Sequence, residues 1–162
     1  MNILIVGAGA VGLVYGHHLA EAGHQVTFLV KEKYHQDLEQ ERKKGIVLYQ
    51  LNNDKQLQSP IRFNNFSVIS NWQHANDFDL IALSISSTAL RLLSSNKAAS
   101  LLMLQPSEED LDHLSQVIPR ENILQGMITL ISYQTDNINE GISPAGTAYY
   151  LPPLPMPISA TL

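Results

Sequence analysis

The chain opens Met1-Asn2-Ile3-Leu4-Ile5-Val6-Gly7-Ala8-Gly9-Ala10-Val11-Gly12, and Gly23 and the run Gln25 to Val30 close its first thirty residues. Four consecutive apolar residues, Ile3 to Val6, suit a short strand buried on both faces. A glycine turn follows, and then Val11, Val14, Tyr15, Leu19 and Ala22 recur at the spacing of one helix face. Gly23 stops that helix, and Gln25 to Val30 supplies a second strand. Strand, glycine turn, helix and strand in this order predict an α/β fold with a doubly wound, mainly parallel sheet.

Each glycine has a separate job in such a Rossmann-type unit, because a pyrophosphate needs backbone rather than side chain around it. Gly7 allows the tight turn off the strand, Gly9 lets the main chain approach the phosphates, and Gly12 lets the helix pack against the sheet. The phosphates then meet free N–H groups and the roughly +0.5 charge of a helix N-terminus. A dinucleotide cofactor is the expected ligand, held by Gly7, Gly9, Ala10, Val11 and Gly12.

At 162 residues the chain fits one domain and can bury about two thirds of its unfolded surface. Apolar residues make up 44% and charged ones 15%, a globular composition, and no apolar run approaches the ~20 residues a bilayer needs. Met1 leads straight into strand residues, so no secretory leader is expected; a cytoplasmic protein without membrane contact is the simplest reading. With no cysteine there is no thiolate nucleophile, and the six histidines show no metal-ligand spacing. The net charge of −5 argues against a nucleic acid partner.

Further along, Tyr34 to Lys44 reads as a surface helix with Leu38 as almost its only large apolar residue, ended by Gly45. Ile46 to Tyr49 and Leu57 to Phe63 predict a β-hairpin excursion around the polar turn at 51–55. Val68-Ile69 suggests one more short strand, and Trp72 to Asn76 a loop or a single helical turn. Leu80 to Leu83 is a buried strand with Ser84, Ser86, Ser87 and Thr88 at its carboxyl end, where open α/β sheets place ligands. Ser87 or Thr88 equally suits the N-cap of a helix over 89–94. Ser100 to Leu104 is another strand, and Ser107 with Asp110 resembles a capping box opening a helix to about Val117. Strand-like sequence returns at Asn122 to Gln125 and Met127 to Ser132, and Ile138 to Ile142 with Thr147 to Leu151 predicts a final strand pair. Residues 1–150 thus read as one dinucleotide-binding domain and 151–162 as a Pro-rich connector or tail. Its apolar residues offer a patch on which a second copy could pair as a homodimer.

The opening to Gly12, followed by Leu19-Ala20-Glu21-Ala22-Gly23-His24-Gln25-Val26-Thr27, resembles the start of the ketopantoate (2-dehydropantoate) 2-reductases. The likeness continues more weakly through Phe78 to Leu83 and Ile123 to Thr129. The resemblance implies an N-terminal NADPH-binding domain whose helical C-terminal partner, carrying a catalytic lysine and most substrate contacts, is absent from this sequence. It also exposes two departures: Ser86 stands where many members carry a lysine, and Pro106-Ser107 stands where members carry Asn-Gly. No residue of this chain is assigned a catalytic role. The leading reading is the NADPH-binding part of an oxidoreductase that passes hydride to a 2-keto acid. The alternative is a non-catalytic dinucleotide-binding or interaction module that has lost the active site. A methyltransferase fits less well, because Val6 replaces the acid those enzymes place before their glycines.

Cofactor choice is read at the end of the second strand, where an acid binds a ribose 2′-hydroxyl and a basic residue accommodates the 2′-phosphate of NADP. Lys31 follows Val30, so NADP is favoured; Glu32, one residue on, keeps NAD open. Ser84 and Ser86 are the expected, more distant contacts with ribose or nicotinamide.

Overall fold

The computed structural model describes residues 1–54, 56–71, 77–85, 100–104, 106–116, 118–135 and 142–160. Strand β1 (Asn2–Val6) lies inside a seven-stranded sheet, paired in parallel with β2 (Gln25–Leu29) on one side and β6 (Leu80–Leu83) on the other. Its side chains alternate between two cores, as a strand's period of two requires. Ile3 and Ile5 face helix α1 (Ala10–Glu21), whereas Leu4 and Val6 join Leu114 of helix α3 (Glu108–Ser115) on the opposite face. Burying each of the four contributes about 1.5–3 kcal/mol, which is why an unbroken apolar run sits at the centre.

The order across this sheet is β11-β8-β7-β6-β1-β2-β5, with β5 (Ser67–Ile69), β7 (Leu101–Leu104) and β8 (Ile123–Gly126) all parallel to their inner neighbours and β11 (Ile158–Ala160) at the edge beyond β8. The chain runs outward from β1 through β2 to β5, then returns to β6 on the other side and runs outward again. That reversal between β1 and β6 is the topological switch point of a doubly wound fold. The expected α/β architecture is therefore the observed one.

Helix α2 (Glu32–Lys44) begins two residues before its expected start, because Lys31 is extended and its carbonyl accepts from the Tyr34 N–H at 2.8 Å. Between α2 and β5 the hairpin excursion is present as β3 (Ile46–Gln50) and β4 (Ile61–Phe63), antiparallel, with a bridge between Leu51 and Leu57. Its role is larger than a hairpin's. Strand β10 (Thr147–Tyr150) pairs in parallel with β3, and β9 (Ile131–Gln134) pairs antiparallel with β10, so a second sheet forms in the order β4-β3-β10-β9.

This second sheet corrects several expectations. The partner of β10 is β9, not a strand over 138–142: Ile142 is outside any strand, and 136–141 fall outside the described residues. Residues 127–130 are not extended pairing, so the strand expected from Met127 starts only at Ile131. Helix α1 lies between the two sheets and is buried on more than one face. Val14 is buried as expected, but Val11, Tyr15 and Leu19 are half-buried and Ala22 is exposed, while Leu13, Gly16, His17 and Ala20 are buried. Gly16 meets β2, where an added Cβ would stand 2.5 Å from Phe28 Cζ. His17 packs edge-on against Phe63 of β4, and His18 against Tyr149 of β10. Residues 151–157 are not a helix or strand, and β11 (Ile158–Ala160) then pairs antiparallel with β8 at the sheet edge. Among the described residues no helix is long and apolar enough to cross a membrane.

Candidate functional site

The glycine turn sits where β1 delivers the chain to α1, at the carboxyl edge of the sheet. Gly7 has φ +97°, a left-handed conformation that a side chain resists, and its N–H donates to the Leu29 carbonyl at 2.9 Å. That bond ties the turn to the end of β2. From the other side the Ser84 N–H donates to the Val6 carbonyl at 3.1 Å, and the Ser84 hydroxyl lies 3.0 Å from both the Val6 and Gly7 carbonyl oxygens. The turn is thus clamped between β2 and the end of β6.

A Cβ added at Gly12 would collide with the Gly7 carbonyl oxygen and would stand 2.7 Å from Ser84 Oγ. The helix can approach the strand this closely only without a side chain there. A Cβ added at Gly9 would meet nothing within 4 Å, so the main chain at Gly9 faces open room. Gly9 is also the N-cap of α1, extended, with no side-chain cap and no acid in the first helical turn. The first intrahelical bond runs from the Leu13 N–H to the Gly9 carbonyl at 2.9 Å. The N–H groups of Ala10, Val11 and Gly12 therefore have no intrahelical acceptor, and they carry the positive end of the helix dipole. A closely packed glycine, an open glycine and an uncapped helix start are the cradle a pyrophosphate requires.

Beside this turn lies a cleft of about 760 Å³. Val6, Gly7, Ala8 and Gly9 form one wall, and Leu29, Val30 and Lys31 line it at the end of β2. Helix α2 forms the opposite wall with Tyr34, Asp37, Leu38 and Glu41, and Ser70 and Ile85 complete the lining. The volume falls in the ordinary range for a cofactor site. Lys31 is exposed and is the one cation among the described lining residues. Tyr34 is 52% exposed, and Lys33 Nζ sits 4.7 Å from its ring centroid.

The expected site residues fall into three groups. Gly7, Gly9 and Lys31 share the cleft, and Ala10, Val11 and Gly12 form the adjoining helix start. Ser84 lies beneath the turn with its hydroxyl on the Val6 and Gly7 carbonyls, which makes it a clamp on the glycines. Ser86, together with Ser87, Thr88 and the helix expected over 89–94, lies outside the described residues, as does the loop over 72–76. The α2 wall lies outside the expected site residues. Tyr34, Asp37, Leu38 and Glu41 follow one helical face at i, i+3, i+4 and i+7, a signal present in the sequence but masked by the helix's charged composition.

Among the described residues no group of histidine and carboxylate side chains is placed to hold a metal ion. His17 and His18 lie further along α1, with ring centroids 5.0 Å apart. Burial holds both below the ordinary histidine value, and for His18 the neighbouring His17 adds to the effect.

A strand leading through a clamped glycine turn into an uncapped helix, at the switch point of a parallel sheet, defines the class: a Rossmann-type dinucleotide-binding domain. The comparisons with known proteins place it further. The family model for ketopantoate reductase PanE/ApbA matches residues 3–140. In fold, the chain is similar to 2-dehydropantoate 2-reductase from Geobacter metallireducens GS-15, with a TM-score of 0.72 at 21% identity over 100% of this chain and 50% of that one. It is also similar to D-mandelate dehydrogenase in a ternary structure with NADH and anilino(oxo)acetate, with a TM-score of 0.64 at 19% identity over 99% of this chain and 49% of that one. In sequence, an uncharacterized oxidoreductase of Bacillus subtilis (strain 168), YkpB, is 47% identical over 49 residues, 30% of this chain and 15% of that protein. The chain thus belongs to the ketopantoate reductase PanE/ApbA family. It spans about half the length of the solved relatives it matches.

Proposed function

We propose that this chain is the NADPH-binding part of a ketopantoate-reductase-like oxidoreductase that passes hydride to a 2-keto acid such as 2-dehydropantoate. The observation that carries the cofactor choice is Lys31, the one cation among the described residues lining the cleft, at the end of β2 where a 2′-phosphate would lie. When bound, the nicotinamide supplies the hydride; the residues of this chain bind and orient the cofactor. The backbone at Gly7, Gly9, Ala10, Val11 and Gly12 takes the pyrophosphate, Lys31 pairs with the 2′-phosphate, and Ser84 keeps the turn in its binding shape. In this reading residues 1–150 are the cofactor domain and 151–162 a connector or tail, of which Ile158–Ala160 add an edge strand to that domain's sheet, and the protein acts in the cytoplasm in pantothenate biosynthesis. A second reading, a non-catalytic dinucleotide-binding module, is favoured by Ser86 and Pro106, which replace the lysine and Asn-Gly turn of the family pattern. A proline lacks the backbone donor a polar turn offers.

The test is thermal melting with each nucleotide. NADPH is expected to raise the melting temperature more than NADH does, and Lys31→Ala to remove the difference. Equal shifts from both nucleotides in the unsubstituted protein would overturn the NADP assignment.

A further inference from the structure

The cleft has a feature that phosphate binding does not use. Its α2 wall presents Tyr34, Leu38, Asp37 and Glu41, an aromatic ring and an aliphatic side chain beside two carboxylates one helical turn apart. One neighbouring carboxylate on the same helix behaves differently. Glu39 is held by Arg42 at 2.8 Å, and that ion pair keeps its carboxyl below the ordinary glutamate value. Asp37 and Glu41 have no hydrogen bond or ion pair among the described residues, and both line the cleft. Two unpaired acids are a poor neighbourhood for the phosphates, which belong at the glycine turn and Lys31. They suit the other end of an adenosine group.

Resting on the dinucleotide reading above, we infer that the α2 wall reads the adenine base: Tyr34 and Leu38 flank its ring, and Asp37 or Glu41 accepts a hydrogen bond from its 6-amino group. The chemistry selects for this arrangement. An ionised carboxylate is acceptor-only, so it pairs with an exocyclic N–H donor and repels a carbonyl oxygen at the same position. The Tyr34 ring is steadied by the Lys33 ammonium 4.7 Å from its centroid, and a planar base has a π-face to stack on such a ring. Leu38, 7% exposed, gives the pocket an apolar floor. The site therefore discriminates the base itself, independently of Lys31 and the 2′-position.

The experiment compares NADPH with its hypoxanthine counterpart, which carries a 6-oxo group in place of the 6-amino group and a proton on N1, by calorimetric titration of the full chain. The same comparison is run for NADH and deamino-NADH. The adenine form is expected to bind about tenfold or more tightly, since pairing a polar substrate group is a strong discriminator. Asp37→Asn with Glu41→Gln, whose amides can donate to a 6-oxo group, is expected to bring the two forms within about threefold. Both positions are exposed, so folding is not at stake. Equal affinity for the two bases in the unsubstituted protein would overturn the inference while leaving dinucleotide binding intact. An undiminished preference in the double variant would also overturn it. Binding of none of the four nucleotides would overturn the dinucleotide reading itself, and this inference with it.

Discussion

Gly9 and Gly12 stand three residues apart, yet an added methyl group should act on them in opposite ways. At Gly9 the methyl enters open space, so Gly9→Ala loses only the N-cap preference of glycine, under about 1 kcal/mol, but it occupies the approach to the pyrophosphate. At Gly12 it meets the Gly7 carbonyl and Ser84 Oγ, and the clash, about 1–3 kcal/mol, outweighs the ~1 kcal/mol alanine gains in a helix. Melting and NADPH titration together are expected to show Gly9→Ala folding nearly as well as the parent and binding at least about tenfold more weakly. Gly12→Ala should lose stability first. His17 and His18 give a second prediction at this scale. Burial lowers both from 6.5, so the folded state keeps them neutral while the unfolded chain takes up protons below that value. Their contribution is fully present above pH 6.5 and erodes as pH falls below it. A melting series from about pH 8 to about pH 5 should decline on the acid side, and His17→Gln with His18→Gln should flatten it. The glycine spacing was legible because each glycine answers to local backbone geometry. The burial of the histidines was not, because Phe63 and Tyr149 reach them from strands far along the chain.

Among the elements, α3 shows how completely a short signal can specify a terminus. The Ser107 hydroxyl accepts from the Asp110 N–H at 3.2 Å, and the Asp110 carboxylate accepts from the Ser107 N–H at 3.0 Å, the reciprocal capping box with aspartate in the usual glutamate position. Three acids, Glu108, Glu109 and Asp110, occupy the first turn, where the helix dipole favours them. Ser107→Ala is expected to cost about 1 kcal/mol in denaturant unfolding, read as a lower midpoint at unchanged slope. The parallel strands β1, β6 and β7 were equally legible, since burial on both faces demands apolar runs. Strand β9 was legible only at Ile131 and Ser132, the end of the run expected from Met127. Ile131, Ser132, Tyr133 and Gln134 carry an exposed or half-buried pattern that sets no boundary, and their partner β10 follows after residues 135–146. Helix α2 is legible as a helix but its cleft face is not, because its charged residues have the composition of a solvated face.

For the whole molecule, strands of both sheets were readable but the pairing of the second sheet was not, and the difference is one of range. The inner strands β1, β2, β6, β7 and β8 of the seven-stranded sheet follow from local pattern, whereas its edges β5 and β11 are reached only after strands of the other sheet, and β11 falls in the stretch expected as a connector or tail. The four-stranded sheet joins β3 to β10 across most of the chain, and no periodicity encodes that pairing. Ligand binding acts on this assembled state as a unit. A nucleotide at about a hundred times its dissociation constant should stabilise the fold by about 2.7 kcal/mol, raising the melting temperature by about 5–10 °C. A shift in that range, growing with ligand concentration, is the expected outcome of differential scanning. The enclosure of α1 between two sheets carries a further consequence, one of divisibility. The helix that presents its amino end to the cofactor also serves as the inner lining of β9 and β10, so the nucleotide cradle has no separable minimal unit. An excised fragment ending at residue 71 would keep every glycine of the turn and still strip the cover from His18, which packs on Tyr149. The thirty residues that announce the fold are therefore unable to stand as a portable binding cassette.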